Sequence, residues 1–228
     1  QNPEYRSRWV AKQLKYLSNE KSPFAATPPL EAQKILFSMA VTESIGFKKG
    51  QKNKGLKLDF IDIRRAYFHA PARRDIFIEL PDEEREFGYC GRLLKSMYGT
   101  QDAASNWEHA YMEFMESIGF ESGTATPCMF KHKTKRIWVT VHGDDFTTLG
   151  CEEDLDRFKQ EISKRFEIKH SGRIGPNEKD QKSIRILNRI LTWTEEGIEY
   201  EADQRHAEIM SEEIDPKSKR SVASPGER

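Results

Sequence analysis

Apolar residues along this chain change period several times, and each change marks an element. Leu30, Ile35, Leu36, Met39 and Ala40 recur at helical spacing behind Thr27-Pro28-Pro29. That pattern predicts a helix capped by Thr27, with proline in its opening turn, fading near Gly46. Leu56, Leu58 and Phe60 alternate with Lys57, Asp59 and Ile61. The alternation predicts a strand whose apolar face ends at Asp62. A short helical turn follows, then a strand over residues 76–80 stopped by Pro81. Ala103, Trp107, Ala110, Tyr111, Phe114 and Ile118 form the stripe of a helix that Thr100 or Asp102 starts and Gly119 stops. Two short β-rich runs, 137–141 and 146–149, flank His142-Gly143-Asp144-Asp145 and predict a hairpin with acids at its tip. Leu155, Phe158, Ile162 and Phe166 mark another amphipathic helix. Residues 172–183, rich in Gly, Pro and charge, read as a loop. Residues 184–194 and 198–201 read as a hairpin around Glu195-Glu196-Gly197, and a final helix is expected near 204–214. The first 20 residues read as a strand and a polar loop. Helices backing an antiparallel sheet, with acids on its open face, make an α+β fold.

Composition changes this picture little. The 228 residues suffice for one large domain or two small ones. Lys and Arg number 37 and so do Asp and Glu, for zero net charge. Zero global charge excludes neither a nucleic-acid partner nor any other, because a local basic stripe is what meets phosphates. Basic clusters stand at residues 6–15, 48–54, 64–74 and 131–136, offset by acids at 82–86 and 195–203. Most such runs are solvated faces; Arg64 and Arg65 differ by lying beside the acids. Cys90, Cys128 and Cys151 have no metal-like spacing, which favours a reducing compartment over a disulfide framework. No run has the length of a membrane span, and no signal peptide is read at the N-terminus. The start without Met reads as a piece of a polyprotein.

The acids carry the chemistry. Two adjacent carboxylates at a hairpin tip repel by roughly 4 kcal/mol at about 4 Å and an effective dielectric near 20. A divalent cation removes that cost, and Mg²⁺ prefers one or two carboxylates plus substrate phosphates. An isolated Asp-Asp pair is more often a solvated turn. Asp62 at the end of a neighbouring strand adds a third carboxylate, and three are the polymerase arrangement.

The motif order D-x-x-x-A-Y-F over 62–68, I-F-I-E-L-P over 76–81, S-M-Y-G within the stretch 95–107 that ends at Trp107, P-C-M-F within 126–130 and H-G-D-D over 142–145 resembles the reverse transcriptase of copia-type LTR retrotransposons. The resemblance extends to residues 7–12, 23–29 and 221–226, and so covers nearly the whole chain. It implies a polymerase right hand. Residues of about 1–60 and 69–100 would contribute fingers, about 56–68 and 101–200 the palm, and about 201–228 the start of a thumb or connection. It implies RNA-directed DNA synthesis from deoxynucleoside triphosphates on an RNA or DNA template-primer, with two Mg²⁺ ions or Mn²⁺ in their place. RNase H and integrase regions of the same polyprotein would be partners. The setting would be intracellular, in a cytoplasmic retroelement particle or the nucleus.

Residue by residue, the resemblance makes Asp62, Asp144 and Asp145 the catalytic metal ligands, with the main-chain carbonyl of Ile63 as a further oxygen. Arg64, Arg65, Ala66, Tyr67, Tyr98, Gly99, Arg8 and Lys12 fall in the nucleotide site. Tyr67 would lie under the incoming sugar and reject a 2′ hydroxyl by steric exclusion, against the alternative that it is a core aromatic. Tyr98 and Gly99 match the turn under the templating pair. His142 and Gly143 would approach the primer terminus. They replace the family's Tyr-Val, and glycine is expected to loosen the turn. Asp102-Ala103-Ala104 replaces its Q-A-P step. Two other readings of these residues are a nucleic-acid-binding relic without catalysis and a palm-fold nucleotide cyclase.

Overall fold

The computed structural model describes residues 9–13, 25–201, 205 and 208–211. Helix α1 (Leu30–Val41) precedes strand β1 (Lys57–Ile63). A two-stranded ribbon, β2 (Phe77–Ile78) and β3 (Gly91–Arg92), follows. Helix α2 (Ala103–Ser117) leads into β4 (Phe120–Ser122), β5 (Met129–His132), β6 (Trp138–His142) and β7 (Asp145–Gly150). Then come α3 (Glu152–Arg165), β8 (Ile168–Ile174), β9 (Ser183–Ile186), β10 (Arg189–Trp193) and β11 (Ile198–Tyr200).

The main sheet has the order β4-β5-β6-β7-β1-β8, and every pairing in it is antiparallel. β1 is therefore an inner strand, bonded to β7 and β8. Its alternate residues feed two cores. Ile61 and Ile63 join Trp107, Phe146, Phe158 and Phe166 in the core under α2 and α3. Leu58 and Phe60 join Leu36, Phe37, Leu191 and Trp193 in the core shared with α1 and the β9–β11 sheet. Both faces of β1 are thus covered. Asp59 and Lys57 sit on the Ile61 and Ile63 face as buried charges.

Those charges are paired, as buried ions must be. Asp59 accepts a hydrogen bond from Arg173 Nη2 at 3.1 Å, and His170 Nε2 lies 2.5 Å from its other oxygen. Arg173 also reaches Asp156 of α3 at 2.8 Å. Lys57 donates to Asp180 at 2.7 Å and to Glu152 at 3.1 Å. β1, β8, α3 and the 176–182 loop are tied by these pairs.

Local chemistry explains most boundaries. α1 begins after Pro29, which is its N-cap, rather than at Thr27, and no side chain caps it. Asp102 is the N-cap of α2, but its carboxylate turns to Arg74 and Asn106 instead of capping. Gly119, at φ +93°, ends that helix as expected. Acids in the first turn of α3 and Lys164 and Arg165 in its last complement the helix dipole.

Three expectations change. β8 runs to Ile174, into the segment read as loop, because pairing with β1 supplies order that its polar sequence hides. The 184–194 run is not one strand. Leu187 and Asn188, both at positive φ, fold it into a hairpin of β9 and β10. The 76–80 strand shrinks to a two-residue pairing. The expected N-terminal strand lies mostly outside the described residues, as does the final helix, of which residues 205 and 208–211 are helical.

Candidate active site

The β6–β7 hairpin turns in two residues. His142 pairs with Asp145, leaving Gly143 and Asp144 at the tip. Gly143 has φ +64°, so a residue without Cβ takes the first central position, where a primed hairpin turn wants glycine. The carbonyl of Gly143 accepts a 2.8 Å hydrogen bond from Nε1 of Trp107, a buried residue of α2. Glycine here is therefore not a loosened valine. It fits the turn, and α2 holds the turn from behind.

β1 and β7 place the third acid. Asp62 stands directly opposite Asp145 in the register, so both side chains share one face. The amide of Ile63 donates to the carbonyl of Asp144 at 2.9 Å, locking the tip to the end of β1. Asp62 and Asp144 line an open cleft of about 870 Å³ with Trp9, Ile63, Arg64, Arg65, Phe68, Tyr98, Glu167 and Lys169. Asp145 lies behind them, outside this lining.

Crowding shows in the acidities. Burial, then the charges of Asp144 and Asp62, push the Asp145 carboxyl up to about 6. Burial and Asp144 also raise Asp62, against the opposing pull of Lys169 and Arg64. Raised carboxyls bind protons more tightly in the folded chain, so their contribution to stability is present at low pH and lost as pH rises. For Asp145 that loss falls between about pH 4 and about pH 6. In EDTA, Asp145→Asn is expected to be more stable than the unsubstituted chain by about 1–2 kcal/mol above pH 7, after allowing for solvent screening. The two should converge below about pH 4. Thermal melts across pH check this, and a gap that stays constant with pH would refute it.

The other expected site residues divide. Arg64 and Arg65 line the cleft; Arg65 holds φ +55° and both are paired with Glu167, which lowers the Glu167 carboxyl. Ala66 is buried in the core. Tyr67 packs against the same core and lies 4.6 Å from Tyr98, ring to ring. Burial and then Asp144 raise its hydroxyl, so core and site meet at this ring. Gly99, at φ +89°, lets the 9–13 segment approach: a Cβ there would stand 1.7 Å from the carbonyl oxygen of Ala11. Lys12 is exposed and faces a neighbouring cleft beside residues 74–81. Arg8 lies outside the described residues. Glu167 and Lys169 are additions that the motifs leave out, whereas Trp9 and Trp107 fall inside motif stretches that assign them no role. Lys169 could have been found only by recognising β8, where it stands opposite Asp62.

Among the described residues, no three His, Cys, Asp or Glu side chains converge closely enough to hold an ion as they stand. The donor chemistry nevertheless fits a divalent cation. Asp62 and Asp144 offer two carboxylates to one cleft, and burial together with the charge of Asp144 raises the Asp62 and Asp145 carboxyls, a cost that a cation relieves.

The fold and this site describe a mixed α/β protein whose antiparallel sheet presents crowded carboxylates beside arginines. Its sequence matches a family profile described as reverse transcriptase (RNA-dependent DNA polymerase) over residues 1–177, and the chain belongs to that family. It is 24% identical over 180 residues to the Retrovirus-related Pol polyprotein from transposon TNT 1-94 of Nicotiana tabacum, covering 75% of this chain and 13% of that one. It is 28% identical over 105 residues to the Transposon Ty1-GR3 Gag-Pol polyprotein of Saccharomyces cerevisiae, covering 46% of this chain and 6% of that one. The copia-type resemblance is borne out by the profile and the tobacco relative. The chain spans only a small part of these relatives. No helix among the described residues is long and apolar enough to cross a membrane.

Proposed function

We propose that the chain is the RNA-directed DNA polymerase unit of a retrotransposon polyprotein, joining deoxynucleoside monophosphates to a primer 3′ hydroxyl. The observation that carries this reading is one cleft holding Asp62, Asp144, Arg64, Arg65 and Tyr98. In it the β1–β7–β8 part of the main sheet, with α2 and α3, is the palm. α1 and the β2–β3 region are fingers, and the segment after about residue 200 begins a thumb. Asp62 and Asp144 hold the ions, with Asp145 as third carboxylate and the Ile63 carbonyl as a further oxygen. Two Mg²⁺ ions, or Mn²⁺, supply hydroxyl activation and neutralise the leaving pyrophosphate when bound. Arg64 and Arg65 exchange Glu167 for triphosphate oxygens, a charge-assisted exchange that keeps both guanidinium groups paired. The hairpin tip, fixed by Trp107, presents His142 and Gly143 to the primer end. Template-primer, RNase H and integrase regions are the partners of this reading, and an intracellular particle or nucleus its setting. Extension of a DNA primer on an RNA template tests it. Template-primer binding without extension would mark the chain as a relic instead.

Tyr67 provides the test of sugar choice. Tyr67→Ala is expected to raise ribonucleotide incorporation relative to deoxynucleotide by about tenfold or more, as a steric exclusion worth about 1–3 kcal/mol is removed. Incorporation ratios measured on one template decide it. An unchanged ratio in an active variant would leave Tyr67 as a core ring only.

The hairpin tip provides another. Tyrosine at 142 and valine at 143 would restore the family's pair, and from sequence alone that change should hold the primer better. The turn geometry reverses the expectation for position 143, because valine at φ +64° is strained. His142→Tyr is expected to keep or raise the extension rate. Adding Gly143→Val should lower it, with a stability loss of about 1–2 kcal/mol. Single-turnover rates and melting curves of the single and double variants check this; a double variant faster than His142→Tyr would refute it.

A further inference from the structure

The cleft has an aromatic wall that the phosphate and metal chemistry leaves unused. Trp9, Phe68 and Tyr98 line it together with Asp62 and Asp144. Tyr98 is engaged by the rings of Tyr67 at 4.6 Å and Phe68 at 5.7 Å. Trp9 makes no ring contact among the described residues, and 61% of it is exposed. Its place is set by main chain rather than by packing of the indole. The amide of Ala11 donates to the Tyr98 carbonyl at 2.7 Å, and that of Gln13 to the Gly99 carbonyl at 3.3 Å. The side chain of Gln13 accepts from Arg74 Nη2 at 2.8 Å and from the Gln101 amide at 3.0 Å. Gly99 is the residue whose missing Cβ admits this segment. A large apolar ring is thus fixed by its backbone at the rim of an acid- and arginine-lined cleft, with its surface turned to water.

We propose that Trp9 is the nucleobase-stacking residue of this site, packing its indole on a base of the nascent pair while Arg64 and Arg65 hold phosphates. The inference rests on the polymerase reading and adds to it a residue that grips the base rather than the charge. Stacking suits a polymerase wall because every base has a π-face, so grip is gained without sequence preference. Lys12, three residues further on, lines the adjacent cleft and leaves this wall to Trp9.

The test uses the full chain on an RNA template with a dideoxy-terminated primer, so that binding is read without chemistry. Dissociation constants are measured for dATP and for inorganic tripolyphosphate, which has the charge but no base. Trp9→Ala is expected to weaken dATP about tenfold and leave tripolyphosphate unchanged, with Trp9→Phe within about threefold of the unsubstituted chain. Because Trp9 is exposed, its replacement should not disturb melting. Nucleotide-induced quenching of tryptophan emission should vanish in Trp9→Phe. A template with an abasic residue at the coding position separates the two sources of the base. If the indole stacks on the templating base, the Trp9→Ala effect disappears there; if on the incoming base, it persists. Equal loss for dATP and tripolyphosphate, or no loss for either, overturns the inference while the polymerase reading stands. An unsubstituted chain that binds no template-primer overturns both.

Discussion

Asp62→Asn and Asp144→Asn should each reduce primer extension by about a thousandfold or more while leaving the fold intact. Each change removes one of the two aspartates that reach the cleft, and metal-assisted charge stabilisation is worth several kcal/mol of barrier, a decade of rate for each 1.36 kcal/mol. Neither change removes packing. Each also removes a charge that raises the Asp145 carboxyl, so in EDTA neither variant should melt below the unsubstituted chain. Added Mg²⁺ should raise the melting temperature of the unsubstituted chain and do so much less in the variants. Primer extension on one RNA template, with melting curves alongside, decides the matter. Retention of more than about a tenth of the activity in both variants would remove these residues from the metal site.

The largest stability effect is expected well behind the cleft, at Asp59. Its carboxylate is fully buried and serves both Arg173 and His170. Asp59→Ala leaves the mostly buried Arg173 with Asp156 and Glu152, both exposed, as its remaining partners. Breaking a buried pair by removing one partner costs about 3–5 kcal/mol. Because Asp156 still pairs with Arg173, about 3 kcal/mol is expected. Asp156→Ala removes an exposed partner and should cost less than about 1 kcal/mol. Urea unfolding midpoints compare the two. A loss below about 1 kcal/mol for Asp59→Ala would show that the arginine finds water as readily as it finds Asp59.

Legibility in the sequence followed how local the signal was. α2, with seven buried residues on a helical stripe and Gly119 behind it, was readable because period and stop signal agree. The acid hairpin was readable because strand composition and turn chemistry coincide over ten residues or so. The Asp62 strand is legible from its alternation, but the partners of its charged residues are not. Lys57 and Asp59 look like a solvated face until Asp180, Glu152 and Arg173, 95 or more positions away, are brought against them. β8 failed for the same reason, since its order comes from pairing rather than from its own pattern. The Leu187-Asn188 turn lacks the glycine that usually announces such geometry. At the site, motif order located the acids and arginines. Glu167 and Lys169 act on them across the fold, and no spacing along the chain could bring them forward.

The double coverage of β1 has a consequence for how the protein fluctuates. This strand is bonded on both edges and buried on both faces, so its amides cannot meet solvent through any small opening. Their hydrogen exchange should require unfolding of nearly the whole sheet and should be among the slowest in the chain. The ribbon of β2 and β3, with two paired residues on each side and little buried apolar surface, should exchange far faster. The chain thus seats Asp62 on the part that opens last, while the β2–β3 ribbon is free to open first.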